Sequence, residues 1–268
     1  MVNNNSTDNT EFECFRFQKD YPNVKFNYII EKNQGLSFAR NRGIKESIGE
    51  LLVFIDDDAY VEKDYLQNLL KHMDSHPDAM AFGGKITPLF EGRIEPLWLS
   101  NWTRSWISAL DLGSKIKLFK KKQYPIGANM GFRRECITEC GEFDSKLGRS
   151  GKNLMGGEEK DFFSRIKTQK YNIYYFPDVA VQHIIPQHRT TKEYIRRYAT
   201  GIGISENIRT KNKSFLCYIE RIIEEAIKWC ATLILWVNFL FHGEKTKGDA
   251  LVLFRWYVTQ NLLFPKNP

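Results

Sequence analysis

Three consecutive acids, Asp56, Asp57 and Asp58, end the apolar run 51–55. Five large apolar residues after Gly49 predict a buried strand of a parallel sheet, because both faces of such a strand are covered. Ligands of open α/β sheets bind at the carboxyl ends of the strands. Clustered carboxylates repel one another unless a cation holds them, and oxygen ligands favour Mg²⁺ or Mn²⁺ over zinc. The alternative is a solvated acidic turn that caps the next helix.

A second acidic group, Glu158, Glu159 and Asp161, begins a predicted helix after a pair of glycines. Acids in a first helical turn complement the helix dipole, and Asp161 with Arg165 has the spacing of a surface ion pair. Either this ordinary arrangement or a catalytic carboxylate is consistent with the pattern. His183 ends a predicted strand further along the chain.

Two further segments could contact a ligand. A helix is predicted to open at Gly35 with Ser37 as its N-cap, which puts Arg40 near the helix N-terminus, where the dipole disfavours a cation. Either an anion binds there or the turn is solvated. The small residues at 127–129 let backbone approach a ligand closely.

Composition limits the broader class of protein. A chain of 268 residues that is 42% hydrophobic can bury one large domain with an appendage. A formal charge of +7 is consistent with binding to nucleic acid, anionic lipid or a phosphorylated substrate, and it does not discriminate between these partners. Five cysteines without a CxxC pair, and no signal peptide, favour reduced thiols in the cytoplasm.

Several elements are expected to position these groups. Residues 10–19 predict a helix and residues 24–30 an alternating strand. A later helix is predicted to face the core with Leu66, Leu69, Leu70 and Met73, and strands are predicted at 80–86, 173–176 and 179–183. The spacing of four puts Trp98, Trp102 and Trp106 along one helical face, either as a packed aromatic stripe or as a wall that faces the acceptor.

Seven segments in order, STDNT, GLSFARNRG, DDD, GANMGFRRE, GEFDSKLG, GEEKDFFSR and PDVAVQH, resemble the inverting family 2 glycosyltransferases over roughly residues 2–200. The resemblance implies an α/β fold of GT-A (Rossmann-like) type, with a mixed, mostly parallel sheet flanked by helices and a C-terminal helical extension. The expected division is a catalytic domain at 1–210 and an extension at 211–268.

The resemblance also implies roles for individual residues. Asp58 would bind the metal with Asp56 and His183, and Glu159 would be the general base, with Glu158 and Asp161 as further catalytic candidates. The donor-binding candidates are Asn3, Arg40, Asp56, Asp57, Gly127, Ala128 and Asn129.

The implied activity is metal-dependent, inverting transfer of a sugar from a nucleotide-diphosphate sugar to a saccharide or lipid-linked acceptor in polysaccharide biosynthesis. Mn²⁺ or Mg²⁺ is the expected cofactor, and no nucleic acid is an expected partner. The family commonly has an aspartate where Asn3 stands, and its base is usually an aspartate where Glu159 stands.

The family usually begins with a strand and helix of about 30 residues ahead of the STDNT turn. Only Met1 and Val2 precede the polar stretch here, which predicts an N-terminally truncated copy whose missing central strand leaves two neighbouring strands unpaired and a cleft through the core. The alternative function is a truncated, catalytically inactive glycosyltransferase-like protein that acts as a membrane or assembly partner.

The tail predicts packed helices. The apolar run 229–241 is shorter than the roughly 20 residues that cross a bilayer, and Arg255 is the one charge within 251–264. We expect helices that pack on the catalytic domain and touch the inner face of the cell membrane through residues 215–264, in a cytoplasmic protein. A plain helical cap or a dimer contact is the alternative.

Overall fold

The computed structural model describes residues 1–149 and 156–265. Its strands are β1 (Val2–Asn3), β2 (Ile29–Ile30), β3 (Leu51–Ile55), β4 (Ala59–Val61), β5 (Ala79–Phe90), β6 (Lys117–Leu118), β7 (Asn129–Arg133) and β8 (Asn172–Ile185). Its α-helices are α1 (Thr10–Asp20), α2 (Leu36–Glu46), α3 (Tyr65–Ser75), α4 (Glu135–Cys140), α5 (Glu158–Thr168), α6 (Lys192–Lys213), α7 (Phe215–Phe241) and α8 (Lys245–Leu263).

The main sheet has six strands in the order β3-β7-β5-β8-β4, with β6 paired to β8. The long strands β5 and β8 are parallel, and β7 runs antiparallel between β3 and β5. Strands β3, β5 and β8 therefore share one direction. The mixed α/β fold with C-terminal helices that the sequence predicts is confirmed.

Helices cover both faces of this sheet because successive strand residues point to opposite sides. On one face Phe132 of β7 packs with Phe162 and Phe163 of α5. On the other, Phe82 of β5 packs with Leu69 of α3. The three layers fix the start of α5 beside the carboxyl end of β3 and the amino end of β7, which is where the acidic motifs meet.

Strands β1 and β2 form a separate parallel pair. A cavity of about 760 Å³ lies between this pair, α2 and β3, and its lining includes Val2, Gly43 and residues 51–57. The cleft predicted from the sequence falls at this position. The N-terminal truncation stays a prediction.

Two predictions about helix faces are wrong in part. On α3, Leu69 and Met73 are buried, but Leu66 and Leu70 are 67% and 58% exposed. The buried stripe is narrower than the apolar pattern, because Tyr65 takes the first inward position. Trp98 and Trp106 are buried and stacked, with ring centroids 5.8 Å apart, while Trp102 is 61% exposed.

Strand β8 is continuous where the sequence predicts two short strands. Its pairing with β5 passes from Gly84↔Phe176 to Ile86↔Val181, so the residues around Pro177 and Asp178 form a bulge within one strand. Proline and a strand irregularity commonly occur together in this way, because proline cannot donate a ladder hydrogen bond.

The C-terminal helices pack against the sheet domain through an apolar cluster. Trp106 stacks on Phe254 of α8, with ring centroids 4.3 Å apart, and Ile195 and Ala199 of α6 complete the contact. Gly203 of α6 allows close approach, since a Cβ there would lie 2.6 Å from the carbonyl oxygen of Val258. Among the described helices, none is both long and apolar enough to cross a bilayer.

Candidate active site

The end of β3 and one residue of β8 form a candidate metal site. Asp56 and Asp58 follow β3, and the pairing of β4 with β8 sets Ala59 opposite His183. One ligand atom from each of Asp56, Asp58 and His183 lies within 4.8 Å of the others. The strand pairing therefore brings together three residues that are up to 127 positions apart in the chain.

These residues fit a divalent cation. His183 Nε2 lies 3.0 Å from Asp58 Oδ1, and His183 is 1% exposed. Asp58 Oδ1 and His183 Nδ1 are buried without a hydrogen-bond partner among the described residues. Unpaired buried polar atoms are rare and call for an explanation. Two carboxylates and an imidazole at this spacing form a donor set that Mn²⁺ accepts, and Mg²⁺ also binds through carboxylates.

Arg189, in the turn after β8, is a neighbour of this site that sequence reasoning missed. Its Nη2 lies 3.5 Å from Asp58 Oδ2. Burial alone would raise the pKa of Asp58, but its 3.0 Å contact with His183 and the charge of Arg189 outweigh burial and lower that pKa. For Asp56, burial dominates and raises the pKa, and Asp58 and Glu159 add to it by repulsion.

Arg40 is a buried cation among carboxylates. Its Nη1 donates to Glu158 Oε1 at 3.1 Å and to Glu159 Oε1 at 3.2 Å, and its Nη2 lies 4.0 Å from Asp56 Oδ1. The carboxyl groups of the protein itself therefore supply part of the negative charge that was expected near the start of this helix. One guanidinium thus lies within 4.0 Å of three carboxyl groups.

Helix α2 is anchored differently from the prediction that Ser37 caps it. Gly35 is the N-cap residue, and its N–H donates to Asn4 Oδ1 at 2.7 Å. Ser37 is buried and its hydroxyl donates to the Leu147 carbonyl at 2.8 Å. The hydroxyl thus ties α2 to the loop before α5, which fixes Arg40 against the acids of α5.

The three acids of α5 divide into separate roles. Glu158 is 2% exposed, and its Oε2 has no hydrogen-bond partner among the described residues. Burial, then repulsion by Glu159, raises the pKa of Glu158 to about 8, so this group is protonated at neutral pH. Glu159 is 18% exposed. Asp161 lies apart from these two, because its Oδ2 accepts from Arg165 Nε at 2.9 Å, as the spacing predicts.

A cavity of about 390 Å³, called the central cavity below, runs along these groups. Arg40, Asp56, Gly127, Ala128 and Glu159 line part of it. A Cβ at Gly127 would lie 1.9 Å from Arg40 Nη2 and 2.5 Å from Glu159 Oε1, so a larger residue there would displace these two side chains.

The remaining predicted donor residues lie away from the central cavity. The Asn129 amide is buried and bonds to the Tyr65 hydroxyl and the carbonyls of Lys85 and Val179, so it holds strands together. Asn3 Oδ1 accepts from the Ser6 N–H at 2.8 Å. Asp57 is exposed and lines the 760 Å³ cavity, which Arg40 and Asp56 also border.

Sequence reasoning missed the far end of the central cavity. Four cations and one acid from α5, α6, α7 and α8 line it there: Lys160, Glu206, Arg221, Lys228 and Arg255. The available signal was the isolated charge of Arg255 within an apolar segment. The aromatic residues Tyr124 and Tyr198 also line this cavity, and burial raises the pKa of both phenols.

The amino-acid sequence is similar to those of known glycosyltransferases. The model of the family "Glycosyl transferase family 2" matches residues 1–141. The chain is 26% identical over 204 residues to a glucosyl-dolichyl phosphate glucuronosyltransferase of Haloferax volcanii, covering 75% of this chain and 64% of that protein. It is 27% identical to the succinoglycan biosynthesis protein ExoM of Rhizobium meliloti, covering 65% of this chain and 53% of that protein. The chain therefore spans less than two thirds of either relative.

Solved structures agree on the fold. The mannosyltransferase PcManGT of Pyrobaculum calidifontis, in complex with GDP-Man and Mn²⁺, superposes with a TM-score of 0.59 at 16% identity, covering 99% of this chain and 77% of that one. GalNAc-T7 with UDP, GalNAc and Mn²⁺ gives 0.50 at 14% identity, covering 76% and 41%. The GT-A fold is shared with both. Since this family model matches residues 1–141, more than half of the 268-residue chain, the chain belongs to glycosyl transferase family 2.

Proposed function

We propose that the chain catalyses metal-dependent, inverting transfer of a sugar from a nucleotide-diphosphate sugar to a saccharide or lipid-linked acceptor in glycan biosynthesis. The observation that carries this proposal is the group of Asp56, Asp58 and His183, whose ligand atoms lie within 4.8 Å of one another. Asp56 also lines the central cavity that contains Glu159. Residues 1–210 form the catalytic part of this proposal and residues 211–268 its helical extension.

The relatives support the classes of substrate. The two similar structures contain GDP-Man or UDP together with Mn²⁺, and the Haloferax relative is a glucosyl-dolichyl phosphate glucuronosyltransferase. We infer a nucleotide-diphosphate sugar as the donor and Mn²⁺ or Mg²⁺ as the cofactor of this chain.

Asp56, Asp58 and His183 would hold the divalent ion, and Arg189 sits behind Asp58 at 3.5 Å. When bound, such an ion offsets the negative charge that develops on the departing diphosphate. The lowered pKa of Asp58 keeps its carboxylate ionised for this purpose at neutral pH.

The donor is held by residues around the end of β3. We assign Arg40, Asp56 and Asp57 to the nucleotide side, since all three border the cavity beside β1, and Asn3 of β1 belongs to the same group. Gly127 and Ala128 form the floor below the donor sugar, where backbone rather than side chain lines the central cavity. Asn129 acts indirectly by fixing the start of β7.

Glu159 is the general base. Arg40 donates to its Oε1 and thereby fixes the carboxylate at the cavity wall. The neutral Glu158 beside it lets the negative charge of the pair reside on Glu159. Glu159 takes the proton of the acceptor hydroxyl while that oxygen attacks the anomeric carbon, and the bond from this carbon to the diphosphate breaks. A single displacement inverts the configuration, and no protein nucleophile takes part.

Nucleotide release in the presence of acceptor tests this function. Purified protein with Mn²⁺ is offered UDP-, GDP- and dTDP-sugars, and release of the nucleoside diphosphate is measured with and without EDTA. We expect release for one nucleotide class, its abolition by EDTA and its loss in Asp58→Asn. Donor binding without release under any condition would favour the alternative of an inactive assembly partner. The juxtaposed acids argue against that alternative.

We also propose that α7 contacts an anionic lipid surface. Its outward side carries large apolar side chains at helical spacing, all at least 37% exposed: Leu216, Ile219, Ile223, Ile227, Ile234, Val237 and Phe241. Exposed Lys211 and Lys213 immediately precede this helix. A long apolar stripe flanked by lysines is typical of helices that lie in a membrane interface, and this would place the protein peripherally on a membrane.

Co-sedimentation with vesicles tests the lipid contact. Ile223→Lys combined with Ile227→Lys should abolish sedimentation with phosphatidylglycerol vesicles, because two charges would enter the apolar interface. Leu66→Lys is the matched control, since Leu66 is equally exposed on the sheet domain at 67%. Equal sedimentation of the double variant and the wild type, or self-association without lipid, would instead support a helical cap or dimer contact.

A further inference from the structure

The central cavity continues past Glu159 into a basic end formed by the C-terminal helices. Lys160 of α5, Arg221 and Lys228 of α7 and Arg255 of α8 line this end. The metal-binding candidates Asp58 and His183 are not part of the lining of the same cavity. Glu159 therefore has the candidate metal site on one side and a group of cations, which begins with its own neighbour Lys160, on the other.

Two buried carboxylates organise these cations. Glu206 accepts from Lys160 Nζ at 2.7 Å and from Arg221 Nε at 2.8 Å, and Arg209 pairs with it as well. Glu225 accepts from Arg221 Nη1 at 2.7 Å and from Arg255 Nη1 at 3.0 Å. Both acids are almost fully buried, at 5% and 3% side-chain exposure.

Positive charge nevertheless exceeds negative charge in this cluster. Lys160, Arg209, Arg221, Lys228 and Arg255 surround the two acids Glu206 and Glu225. The next carboxylate, Glu224, lies 3.9 Å from Lys228 and already pairs with Lys122 at 2.9 Å on the surface. Lys160 and Lys228 are 32% and 42% exposed, but the three arginines are at most 17% exposed. Burying arginine charge in excess of the nearby carboxylates is costly unless a counter-charge is present.

Two donors at this end lack strong partners. Arg255 Nε is buried without a hydrogen-bond partner among the described residues. The Lys228 side chain is 42% exposed at the mouth of this end, and its ion-pair partner among the described residues is Glu224 at 3.9 Å. Burial, followed by repulsion from Arg221 and Lys160, lowers the pKa of Lys228 to about 8. A bound anion would relieve this repulsion and satisfy both groups.

We propose that Lys160, Arg221, Lys228 and Arg255 bind a phosphate group carried by the sugar acceptor. This inference rests on the proposed function, in which the donor diphosphate belongs to the Asp56, Asp58 and His183 side. In an inverting displacement the acceptor approaches from the face opposite the leaving group, which is the side of Glu159 where the cations lie. Arginine forks and lysine ammonium groups together suit a dianionic phosphate.

The phosphate could be carried by a lipid or by a soluble sugar. The apolar stripe on the outer side of α7, the helix that supplies Arg221 and Lys228, makes a lipid carrier the favoured source. Two probes distinguish the sources. Farnesyl phosphate presents an isoprenoid phosphate, and glucose 1-phosphate presents a soluble sugar phosphate. Farnesol and glucose are the matched neutral probes.

Binding of these probes is measured by calorimetry on the full chain, separately from donor binding with Mn²⁺. We expect farnesyl phosphate to bind at least about tenfold more tightly than farnesol, as a charge-assisted contact allows. Lys228→Gln should weaken that binding about tenfold and leave donor affinity within about twofold of wild type, because the ion pair of this side chain in the described part of the chain is a long one, 3.9 Å to Glu224. Lys63→Gln, at an exposed position, is the control.

Each outcome bears on the inference. Binding of farnesyl phosphate alone assigns the site to a lipid carrier, and binding of glucose 1-phosphate alone assigns it to a soluble acceptor. Equal affinity for phosphorylated and neutral probes, or phosphate binding unaffected by Lys228→Gln, would overturn it. If donor binding remains intact in those cases, the proposed function survives. Absence of donor binding in the wild type would instead contradict the proposed function itself.

Discussion

Two buried charge clusters of opposite sign meet along one cavity. In the first, which we call the acidic cluster, Asp56, Glu158 and Glu159 surround the cation Arg40, and Arg149 lines the same cavity. In the second, the basic cluster, five cations surround Glu206 and Glu225. Adjacent residues of α5, Glu159 and Lys160, belong one to each cluster.

The difference shows how an unbalanced buried cluster indicates its ligand. The acidic cluster keeps a proton on Glu158, and neighbouring His183 Nδ1 has no hydrogen-bond partner among the described residues, as expected where a cation binds. The basic cluster lowers the pKa of Lys228, and Arg255 Nε has no hydrogen-bond partner within residues 1–149 and 156–265, as expected where an anion binds. Perturbed groups of this kind concentrate at functional sites.

The largest predicted loss of sugar-transfer activity is for a substitution in the acidic cluster. Glu159→Gln removes the proposed base but keeps its shape, and we expect transfer to fall by about 10³-fold, within the range of general-base catalysis. Donor binding should change by less than about twofold, because Gln still accepts from Arg40. The measurement is single-turnover sugar transfer beside donor calorimetry.

Asp161→Asn is the matched control for that experiment, because the Asp161 carboxylate pairs with Arg165 rather than facing the cavity. It should retain most of the activity. If Asp161→Asn were the more damaging of the two substitutions, Glu159 would not be the base.

A smaller loss of transfer rate is expected for a substitution at Gly127, where the backbone approaches the acidic cluster. Gly127→Ala would put a Cβ 1.9 Å from Arg40 Nη2 and 2.5 Å from Glu159 Oε1, so both side chains must move. A displacement of this size costs on the order of 10²-fold in rate. Gly49→Ala is the control, since its nearest neighbour would be an ordinary 3.5 Å away. Equal rates for both variants would mean that the Arg40–Glu159 geometry is unimportant.

The two clusters should give stability opposite dependences on pH. Glu158 has its pKa raised from 4.5 to about 8, so its contribution to stability is complete below pH 4.5 and is lost as the pH rises toward 8. Glu206 has its pKa lowered, because Lys160, Arg209 and Arg221 outweigh the effect of burial, so its contribution is present above pH 4.5 and is lost below it. Each slope is at most about 1.4 kcal/mol per pH unit.

Denaturant unfolding at a series of pH values measures these slopes. Glu158→Gln should flatten the curve between pH 4.5 and 8, and Glu206→Gln should flatten it on the acid side while lowering stability by about 3 kcal/mol through broken buried pairs. Parallel curves for the two variants would contradict the contrast between the clusters.

The sequence predicted the acidic cluster because its residues occupy short motifs at the ends of regular elements. Asp56 and Asp58 follow an apolar strand and Glu159 begins a helix, and the resemblance to family 2 glycosyltransferases implied that they share one site. His183 was expected at a strand end but lies within β8, which continues through a bulge at Pro177 to Ile185. Family 2 membership and the GT-A fold followed from the same motifs.

The basic cluster could not be predicted in the same way. Its members come from four different helices, and each resembles an ordinary surface charge when read locally. Arg221 and Glu225, for example, have the spacing of a solvated helical pair but are 4% and 3% exposed. Only the packing of α6, α7 and α8 on one another buries them. The exposed Leu66 and Leu70 show the converse, since local apolar spacing does not determine which residues the sheet covers.

The most direct test of the central claim is the dependence of donor binding on a divalent ion. Calorimetry with the preferred nucleotide-diphosphate sugar should show binding in Mn²⁺ or Mg²⁺, a loss of at least about tenfold in EDTA, and the same loss for Asp58→Asn in Mn²⁺. Asp74→Asn, on the exposed side of α3, should bind as the wild type does. Equally tight donor binding by the wild type in EDTA and by Asp58→Asn would contradict the account.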